Sequence, residues 1–268
     1  MTYRLLVFGG GRMGAALVAG LLNAHWCAPE ELLIIQRGDA KAQLLRDRFP
    51  GVRVETSLEA EYLSPGTGVV LCVKPDYAEG IARLCGVMGV TRLLSVVAGL
   101  TTERLQACFA TPVAVIRSMP NTPVVVGKGV SAITGGAHCT SADLDWAESV
   151  LGAVGLVVRV TERQIDAVSG LSGPMPAYLY LVVEALIEAG VHQGLSREIS
   201  RQMVVATFEG SAALLAASGE SPEELRYQVT SPGGVTAAGL RMLEGRAVRA
   251  AFLEAVAAAA ERSRSLVR

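Results

Sequence analysis

The sequence predicts an α/β domain followed by an all-α domain. Across residues 1–160, short β-branched apolar runs alternate with helix-like segments, which is the pattern of βαβ units in a parallel sheet. A glycine-rich loop follows the first apolar run and opens a helix. From residue 161 onward, long segments of Ala, Leu, Glu and Arg replace the β-branched runs. We therefore predict a Rossmann-like dinucleotide-binding domain over residues 1–160 and a helical domain over residues 161–268.

Strands are predicted at the short apolar runs of the first domain. Because these runs are continuously apolar, they fit a sheet that is covered on both faces. The last two runs are expected to add edge strands. The predicted strands are residues 4–8, 32–36, 69–73, 93–97, 113–116, 129–133 and 154–160.

Helices are predicted between these strands and throughout the second domain. The last helix is apolar over much of its surface, and a helix that is apolar on several faces must be buried. We therefore expect a homodimer through the C-terminal half. The predicted helices are residues 13–23, 40–48, 76–84, 102–109, 141–151, 162–168, 177–190, 197–217, 222–229, 236–244 and 247–266.

The composition excludes several classes of function. Net charge is −1 and aromatic residues make up 5% of the chain, so we expect no nucleic-acid partner. The five cysteines are odd in number and form no C-x-x-C pair, which indicates a reducing cytoplasm. The apolar run at 177–191 carries Glu184 and Glu188, so we expect no membrane span. The three histidines fit no metal-ligand spacing, and no metal is expected.

The first glycine-rich segment is G-G-G-R-M-G at residues 9–14. Gly9, Gly11 and Gly14 have the spacing that gives a tight turn, close approach of the backbone to a pyrophosphate, and close packing of helix on strand. The helix that starts here directs its N-terminus at the phosphates. The alternative is a glycine turn that binds nothing, but its place at the start of a βαβ series favours a dinucleotide site.

The end of the second strand indicates which dinucleotide is bound. NAD sites place an acid there for the ribose 2′-hydroxyl. This chain has Gln36 followed by Arg37, and Arg37 can pair with a 2′-phosphate. Asp39 lies beyond a glycine, where capping the next helix is its ordinary role. We predict NADPH as the cofactor, with NADH as the alternative.

A second glycine-rich segment, S-P-G-G-V-T, spans residues 231–236. Glycines let backbone N–H groups approach a ligand, and the start of a helix attracts anions, which suits a small carboxylate. By itself the segment also fits a plain joint between two helices. The glycine loop at the other end of the chain favours the binding interpretation.

With both segments in view, the chain resembles the pyrroline-5-carboxylate reductase family almost from end to end. The match to the family's R-x-M-P-N-T-P motif at residues 117–123 is close, and the order of the motifs is specific. The other segments that resemble family motifs are residues 9–13, 70–75, 95–99, 166–173 and 229–236, followed by G-L at 239–240 and L-E at 243–244.

The resemblance implies an NAD(P)H-dependent reductase of a cyclic imino acid that works as a homodimer, in some members assembled into larger rings such as a decamer. It implies that Gly233, Gly234 and Val235 hold the substrate carboxylate through backbone N–H groups. Thr236 would hydrogen-bond the ring nitrogen, Ser231 would support the turn, and Met119 and Glu162 would lie near the substrate. The implied cofactor contacts are Gly9, Gly10, Gly11, Arg12, Met13, Arg37, Val73, Lys74, Pro75, Ala98 and, near the nicotinamide, Asn121.

The chemistry of the implied reaction agrees with these residue types. A protonated imine is already electrophilic, so the reaction needs alignment and a donor at nitrogen rather than a strong catalytic acid. A threonine hydroxyl can be that donor, relaying a proton from water.

Three departures from the family pattern leave alternatives open. Arg12 replaces the usual Asn or Gln, and the usual Asn is absent from residues 56–61. Pro174 and Met175 replace a small Ser-Gly pair before the long helix, so the substrate could be another ring imino acid, or the change lies harmlessly on the helix surface. The further rivals are a catalytically silent dinucleotide-binding homologue and a hydroxy-acid dehydrogenase, which would want a lysine that residues 177–190 lack.

Overall fold

The computed structural model describes residues 3–64 and 66–266, and its N-terminal part contains an eight-stranded sheet in the order β3-β2-β1-β4-β5-β6-β7-β8. All neighbours are parallel except β6 and β7, which are antiparallel. The strands are β1 (Leu5–Phe8), β2 (Leu32–Ile35), β3 (Arg53–Glu55), β4 (Gly68–Leu71), β5 (Arg92–Ser95), β6 (Ala114–Pro120), β7 (Gly129–Gly135) and β8 (Gly155–Arg159).

The sheet differs from the sequence prediction at both ends. The short edge strand β3 was not predicted, because its charged Arg53 and Glu55 flank a single buried valine. The predicted edge strand at 129–133 is instead internal, since β7 pairs with both β6 and β8. Only β8 lies at the edge on that side, as expected.

Helices cover both faces of the sheet and bury two apolar clusters. Residues alternate along β1, so that Leu5 and Val7 belong to one cluster and Leu6 and Phe8 to the other. The first cluster also takes side chains from α1, α2 and α5, and the second from α3 and α4. These helices are α1 (Arg12–Asn23), α2 (Asp39–Arg48), α3 (Pro75–Val87), α4 (Thr102–Gln106) and α5 (Ser141–Gly152).

After β8 the described chain consists of helices joined by short turns. Several helices begin at a side-chain cap, as when Ser196 accepts from the Ile199 N–H and Ser221 forms a capping box with Glu224. The helices are α6 (Glu162–Leu171), α7 (Met175–His192), α8 (Arg197–Ser218), α9 (Pro222–Gln228), α10 (Val235–Gly245) and α11 (Val248–Leu266).

The packing divides the chain into two compact units. The first runs up to Pro174 and regains the chain from Ala259, and the second is Met175–Ala258. Helix α6 packs on β6 and β7 within the first unit. In the second unit, all of which is described, only Pro176 and Ser200 are buried. The domain boundary that we place between residues 160 and 161 stays a prediction.

Candidate functional site

The glycine loop after β1 has a different steric reason for glycine at each end. Gly9 has φ +94°, and a Cβ there would lie 2.4 Å from the carbonyl oxygen of Cys72, the residue after β4. A Cβ on Gly14 would lie 1.9 Å from the Gly9 carbonyl oxygen, so this glycine lets α1 pack tightly. A Cβ on Gly11 would meet nothing within 4 Å. A Cβ on Gly10 would lie 2.2 Å from Cδ1 of Leu45, so the segment is open at Gly11 alone, where a ligand can approach the backbone.

The loop borders a cavity of about 840 Å³ at the carboxyl ends of β1, β2 and β4. This is the point where the strand order reverses, and it is where parallel α/β sheets bind their ligands. Gly11 is the N-cap of α1, and no acidic side chain lies in the first turn of that helix, which leaves its N-terminus suited to an anion. Of the predicted cofactor contacts, those that line the cavity are Gly9, Gly10, Gly11, Arg12, Arg37, Val73 and Lys74.

The cavity is strongly positive. Five cationic side chains line it, and none of them has an ion-pair partner among the described residues. No Asp or Glu is among the residues of its lining. An open glycine backbone within such a set of cations fits a ligand that carries several phosphates. The cations are Arg12, Arg37, Lys41, Arg48 and Lys74.

The other predicted cofactor residues lie beside the cavity rather than in its lining. Met13 is half-buried and packs against the core under α1, and Pro75 is the first residue of α3. Ala98 is exposed in the loop after β5. Asn121 is buried: its side-chain amide donates to the Ser172 carbonyl (3.2 Å), and its side-chain oxygen accepts from the Val130 N–H (2.8 Å).

Several residues of the lining were not predicted as contacts, among them Lys41, Arg48, Gln36 and Tyr77, and the last two make contacts within the cavity. Gln36, directly after β2, accepts a hydrogen bond from the Gly10 N–H through its Oε1 (2.8 Å). The ring of Tyr77, in the first turn of α3, lies under the guanidinium of Arg37. Both contacts join segments 26 to 40 residues apart, and the only signal in the sequence was the position of Gln36 at a strand end.

Cys72 also lines the cavity, but its thiol is not a reactive nucleophile. Burial raises the pKa of its thiol to about 12, so the group stays protonated at neutral pH. A protonated thiol is a poor nucleophile. No group of three or more potential metal ligands occurs in residues 3–64 and 66–266.

Glu162 is part of a partly buried polar cluster in the first unit. Its Oε1 accepts from the Arg117 guanidinium (2.5 Å), and its Oε2 accepts from the Thr102 hydroxyl (3.0 Å). The Arg117 side chain is only 4% exposed, so this ion pair fastens the start of α6 to β6. Met119, two residues further along β6, lies beside Gly173 in the turn that follows α6.

The second glycine segment forms the turn between α9 and α10. Gly233 has φ +69°, and the Gly234 N–H donates to the Ser231 carbonyl (3.1 Å). Helix α10 then begins at Val235 with no side-chain cap and no acid in its first turn. The backbone N–H groups of Val235, Thr236 and Ala237 find no acceptor among the described residues. The turn therefore presents three unsatisfied donors at a helix N-terminus, which is a ready site for an anion.

The helical unit has a largely apolar exterior. Leu181, Met203 and Leu253 are each more than half exposed. By length and composition alone, the stretch 162–192 is apolar enough to cross a membrane, since one 18-residue window within it has a mean hydropathy of 1.3, although we predicted no membrane span within 177–191. That stretch comprises α6 and α7, which are separated by a turn at residues 172–174. A surface this apolar indicates an interaction site.

Known protein families match both parts of the chain. The family described as pyrroline-5-carboxylate reductase dimerisation matches residues 162–266, and the family of coenzyme F420-dependent NADP oxidoreductases matches residues 4–99. The pyrroline-5-carboxylate reductase of Corynebacterium melassecola is 39% identical over 98% of both chains. That of a Synechocystis species is 38% identical over 99% of both chains.

Solved structures give the same result. The pyrroline-5-carboxylate reductase of Coxiella burnetii aligns over the whole of both chains, with a TM-score of 0.90 and 29% identity. The Plasmodium falciparum pyrroline carboxylate reductase, solved with NADP bound, aligns over 98% of both chains, with a TM-score of 0.85 and 30% identity. With relatives this similar along almost their entire lengths, the chain belongs to the pyrroline-5-carboxylate reductase family of NAD(P)H-dependent, imine-reducing oxidoreductases.

Proposed function

We propose how this chain carries out the reaction of its family, the NAD(P)H-dependent reduction of 1-pyrroline-5-carboxylate to L-proline. The substrate carboxylate binds at the N-terminus of α10, and the Thr236 hydroxyl hydrogen-bonds the ring nitrogen. The observation that carries this proposal is the set of three unsatisfied backbone N–H groups in the exposed turn at residues 231–237.

The carboxylate site is built from backbone. The left-handed conformation of Gly233 turns the chain so that helix α10 can begin at once, and Gly234 leaves the helix end uncapped. A Cβ on Gly234 would lie 2.4 Å from the Ser231 hydroxyl oxygen, so Ser231 supports the turn through close packing. Hydrogen bonds from N–H groups to a carboxylate are charge-assisted and strong. Gly233 and Val235 thereby offer N–H groups that are free among the described residues to the acid group of the substrate, whereas Gly234, whose N–H is bonded to the Ser231 carbonyl, shapes the turn.

Thr236 acts at the ring nitrogen. Its side chain makes no hydrogen bond to any described residue, so its hydroxyl is available to a ligand. A hydroxyl can donate to nitrogen while accepting from water, which allows it to relay a proton. The protonated imine carbon is more electrophilic, and NADPH, when bound, supplies the hydride. Met119 and Glu162 stay predicted neighbours of the substrate.

The cofactor is held by the first unit. The open backbone at Gly11 and the N-terminus of α1 take the pyrophosphate, Gly10 lies beside it, and Arg12 and Lys74 add charge. Arg37 takes the 2′-phosphate, so we favour NADPH over NADH; a P. falciparum relative was solved with NADP. The remaining proposed contacts are Gly9, Met13, Val73, Pro75, Ala98 and Asn121.

The chain self-associates, as its match to a dimerisation family indicates. We propose that the apolar surface of residues 162–192 is covered by a second copy rather than by lipid, because that match includes the whole stretch. Assembly of dimers into a decamer, a cytoplasmic location and the absence of nucleic-acid and membrane partners are part of the same proposal. The net charge of −1 supports the exclusion of nucleic acid.

The variant Thr236→Ala tests the proposal. We expect kcat with 1-pyrroline-5-carboxylate to fall by about 100-fold or more, the usual contribution of a positioned proton donor. The dissociation constant for NADPH should change less than twofold, because Thr236 does not line the nucleotide cavity. Thr236→Ser keeps the hydroxyl and is the matched control, in which most of the activity should return. A Thr236→Ala enzyme with turnover near that of the wild type would refute the role of this hydroxyl.

A further inference from the structure

Arg37 and Tyr77 reach the cavity from opposite sides of β1 and stack on each other. Arg37 follows β2 closely, and Tyr77 lies in the first turn of α3, which follows β4. The guanidinium carbon Cζ of Arg37 is 3.9 Å from the centre of the Tyr77 ring. Both side chains line the cavity, where Tyr77 stays 43% exposed. The stack therefore joins the two walls of the crevice at a place open to ligand.

The stack leaves the hydrogen-bonding edge of Arg37 unused. Its guanidinium has no hydrogen-bond or ion-pair partner in the described part of the chain. The neighbouring Gln36 is occupied elsewhere, since its side-chain amide binds the Gly10 N–H and the Arg37 carbonyl. A guanidinium with one face on a ring and a free edge presents a planar fork, which matches the geometry of a phosphate.

We propose that Tyr77 is a specificity-determining residue that holds the Arg37 guanidinium in place for the 2′-phosphate of NADPH. This inference rests on the proposed function. An arginine side chain loses rotamer freedom when it binds a phosphate, and a ring that already fixes it reduces that loss. Tyr77 acts through Arg37 and is a positioning residue. Its effect is therefore confined to nucleotides that carry a 2′-phosphate.

The competing interpretation is that Tyr77 is only a platform for the adenosine that NADPH and NADH share. The two interpretations of Tyr77 differ in one measurable respect. A platform lowers the affinity of both nucleotides equally when it is removed, whereas a residue that positions Arg37 lowers the affinity for the phosphorylated nucleotide alone.

The test is titration calorimetry of the purified full-length protein with NADP⁺ and with NAD⁺. For Tyr77→Leu we expect the dissociation constant of NADP⁺ to rise about twofold to fivefold, the range for an exposed cation–π contact. That of NAD⁺ should change less than 1.5-fold. Tyr77→Phe keeps the ring and should restore the wild-type value. In steady-state assays of Tyr77→Leu, KM for NADPH should rise by the same factor while kcat stays unchanged.

Two further variants make the test specific. In an Arg37→Met background, Tyr77→Leu should have no additional effect on NADP⁺, because the group that it positions is gone. Arg83→Ala removes a 62% exposed cation of the same helix that lies outside the cavity, and it should leave both affinities unchanged.

Equal losses for NADP⁺ and NAD⁺ in Tyr77→Leu, no loss for either, or an undiminished effect in the Arg37→Met background would each overturn the inference. These results would leave the proposed function standing. A wild-type protein that does not reduce 1-pyrroline-5-carboxylate with NADPH would overturn the function, and the nucleotide titrations would still be interpretable.

Discussion

Gly11 and Gly14 belong to one glycine-rich segment, but the steric surroundings of the two positions differ. The backbone of Gly11, with φ −67° and ψ −170°, is one that any residue can adopt, and the space where its side chain would lie is open. Gly14 is buried, and a methyl group there would collide with the Gly9 carbonyl. The fold thus requires glycine at position 14 but not at position 11, which is consistent with the proposed binding of the cofactor at Gly11.

This contrast predicts opposite effects for two alanine substitutions. Gly11→Ala should leave the melting temperature of the nucleotide-free protein within about 2 °C and raise the dissociation constant of NADPH about tenfold, because a methyl group occupies the pyrophosphate's place. Gly14→Ala should lower the free energy of unfolding by about 1–3 kcal/mol, as overpacking does. Thermal unfolding without nucleotide and calorimetric titration separate the two effects. Wild-type NADPH affinity in Gly11→Ala would mean that the open space is not where the cofactor binds.

At the scale of the element, the start of α10 can be tested without breaking the helix. Val235 is the first helical residue, its side chain is 91% exposed, and its N–H has no acceptor among the described residues. Proline is well tolerated at this position and removes only the N–H. The preceding Gly234 has φ −77° and ψ 173°, an extended conformation that suits a residue before proline.

We expect Val235→Pro to raise KM for 1-pyrroline-5-carboxylate about tenfold or more, since one charge-assisted hydrogen bond to the carboxylate is lost. Its circular dichroism and NADPH affinity should equal those of the wild type. Arg197→Pro is the matched control: it also substitutes the first residue of a helix, α8, after an extended Ser196, but it belongs to a different helix from the one that follows the glycine turn. Its KM should not change. Equal KM values in the two variants would argue against carboxylate binding at α10.

The elements themselves were largely predictable, and the failures have physical causes. Helices α8 and α11 agree with their predicted ranges to within about one residue; for α8 the reason is that Ser196 caps its start and Gly219 ends it. The strand β3 was missed because only Val54 is buried in it. The antiparallel pairing of β7 with β6 was not predicted either, since apolar content gives burial but not strand direction.

On the scale of the whole molecule, the backbone-built parts of the site followed from the sequence, and the side-chain contacts did not. The two glycine turns could be recognised because the binding role that we propose for them requires residue types at fixed spacing. The contacts Gln36 to Gly10 and Arg37 to Tyr77 depend on how β1, β2 and β4 are ordered in the sheet. Local pattern does not contain that order. The same holds for the ion pair between Arg117 and Glu162, which joins residues 45 positions apart.

The two units also differ in how completely they bury their apolar residues. The first unit has two apolar clusters, one on each face of its sheet. The second unit has two buried residues and a largely apolar exterior. A helical unit with so little core of its own gains stability from association. Leu181 of α7, which is 66% exposed, is a suitable place to test this.

We expect Leu181→Glu to abolish self-association, because a carboxylate buried in an apolar interface is left without a partner. Light scattering after size exclusion should give the mass of a single chain at about 10 μM, and the melting temperature should fall and no longer rise with protein concentration. Val87→Glu places the same charge at an 87% exposed apolar position on α3 in the first unit, and it should keep the wild-type mass. If Leu181→Glu kept the wild-type mass and concentration dependence, the surface around α7 would not be the one through which the chains associate.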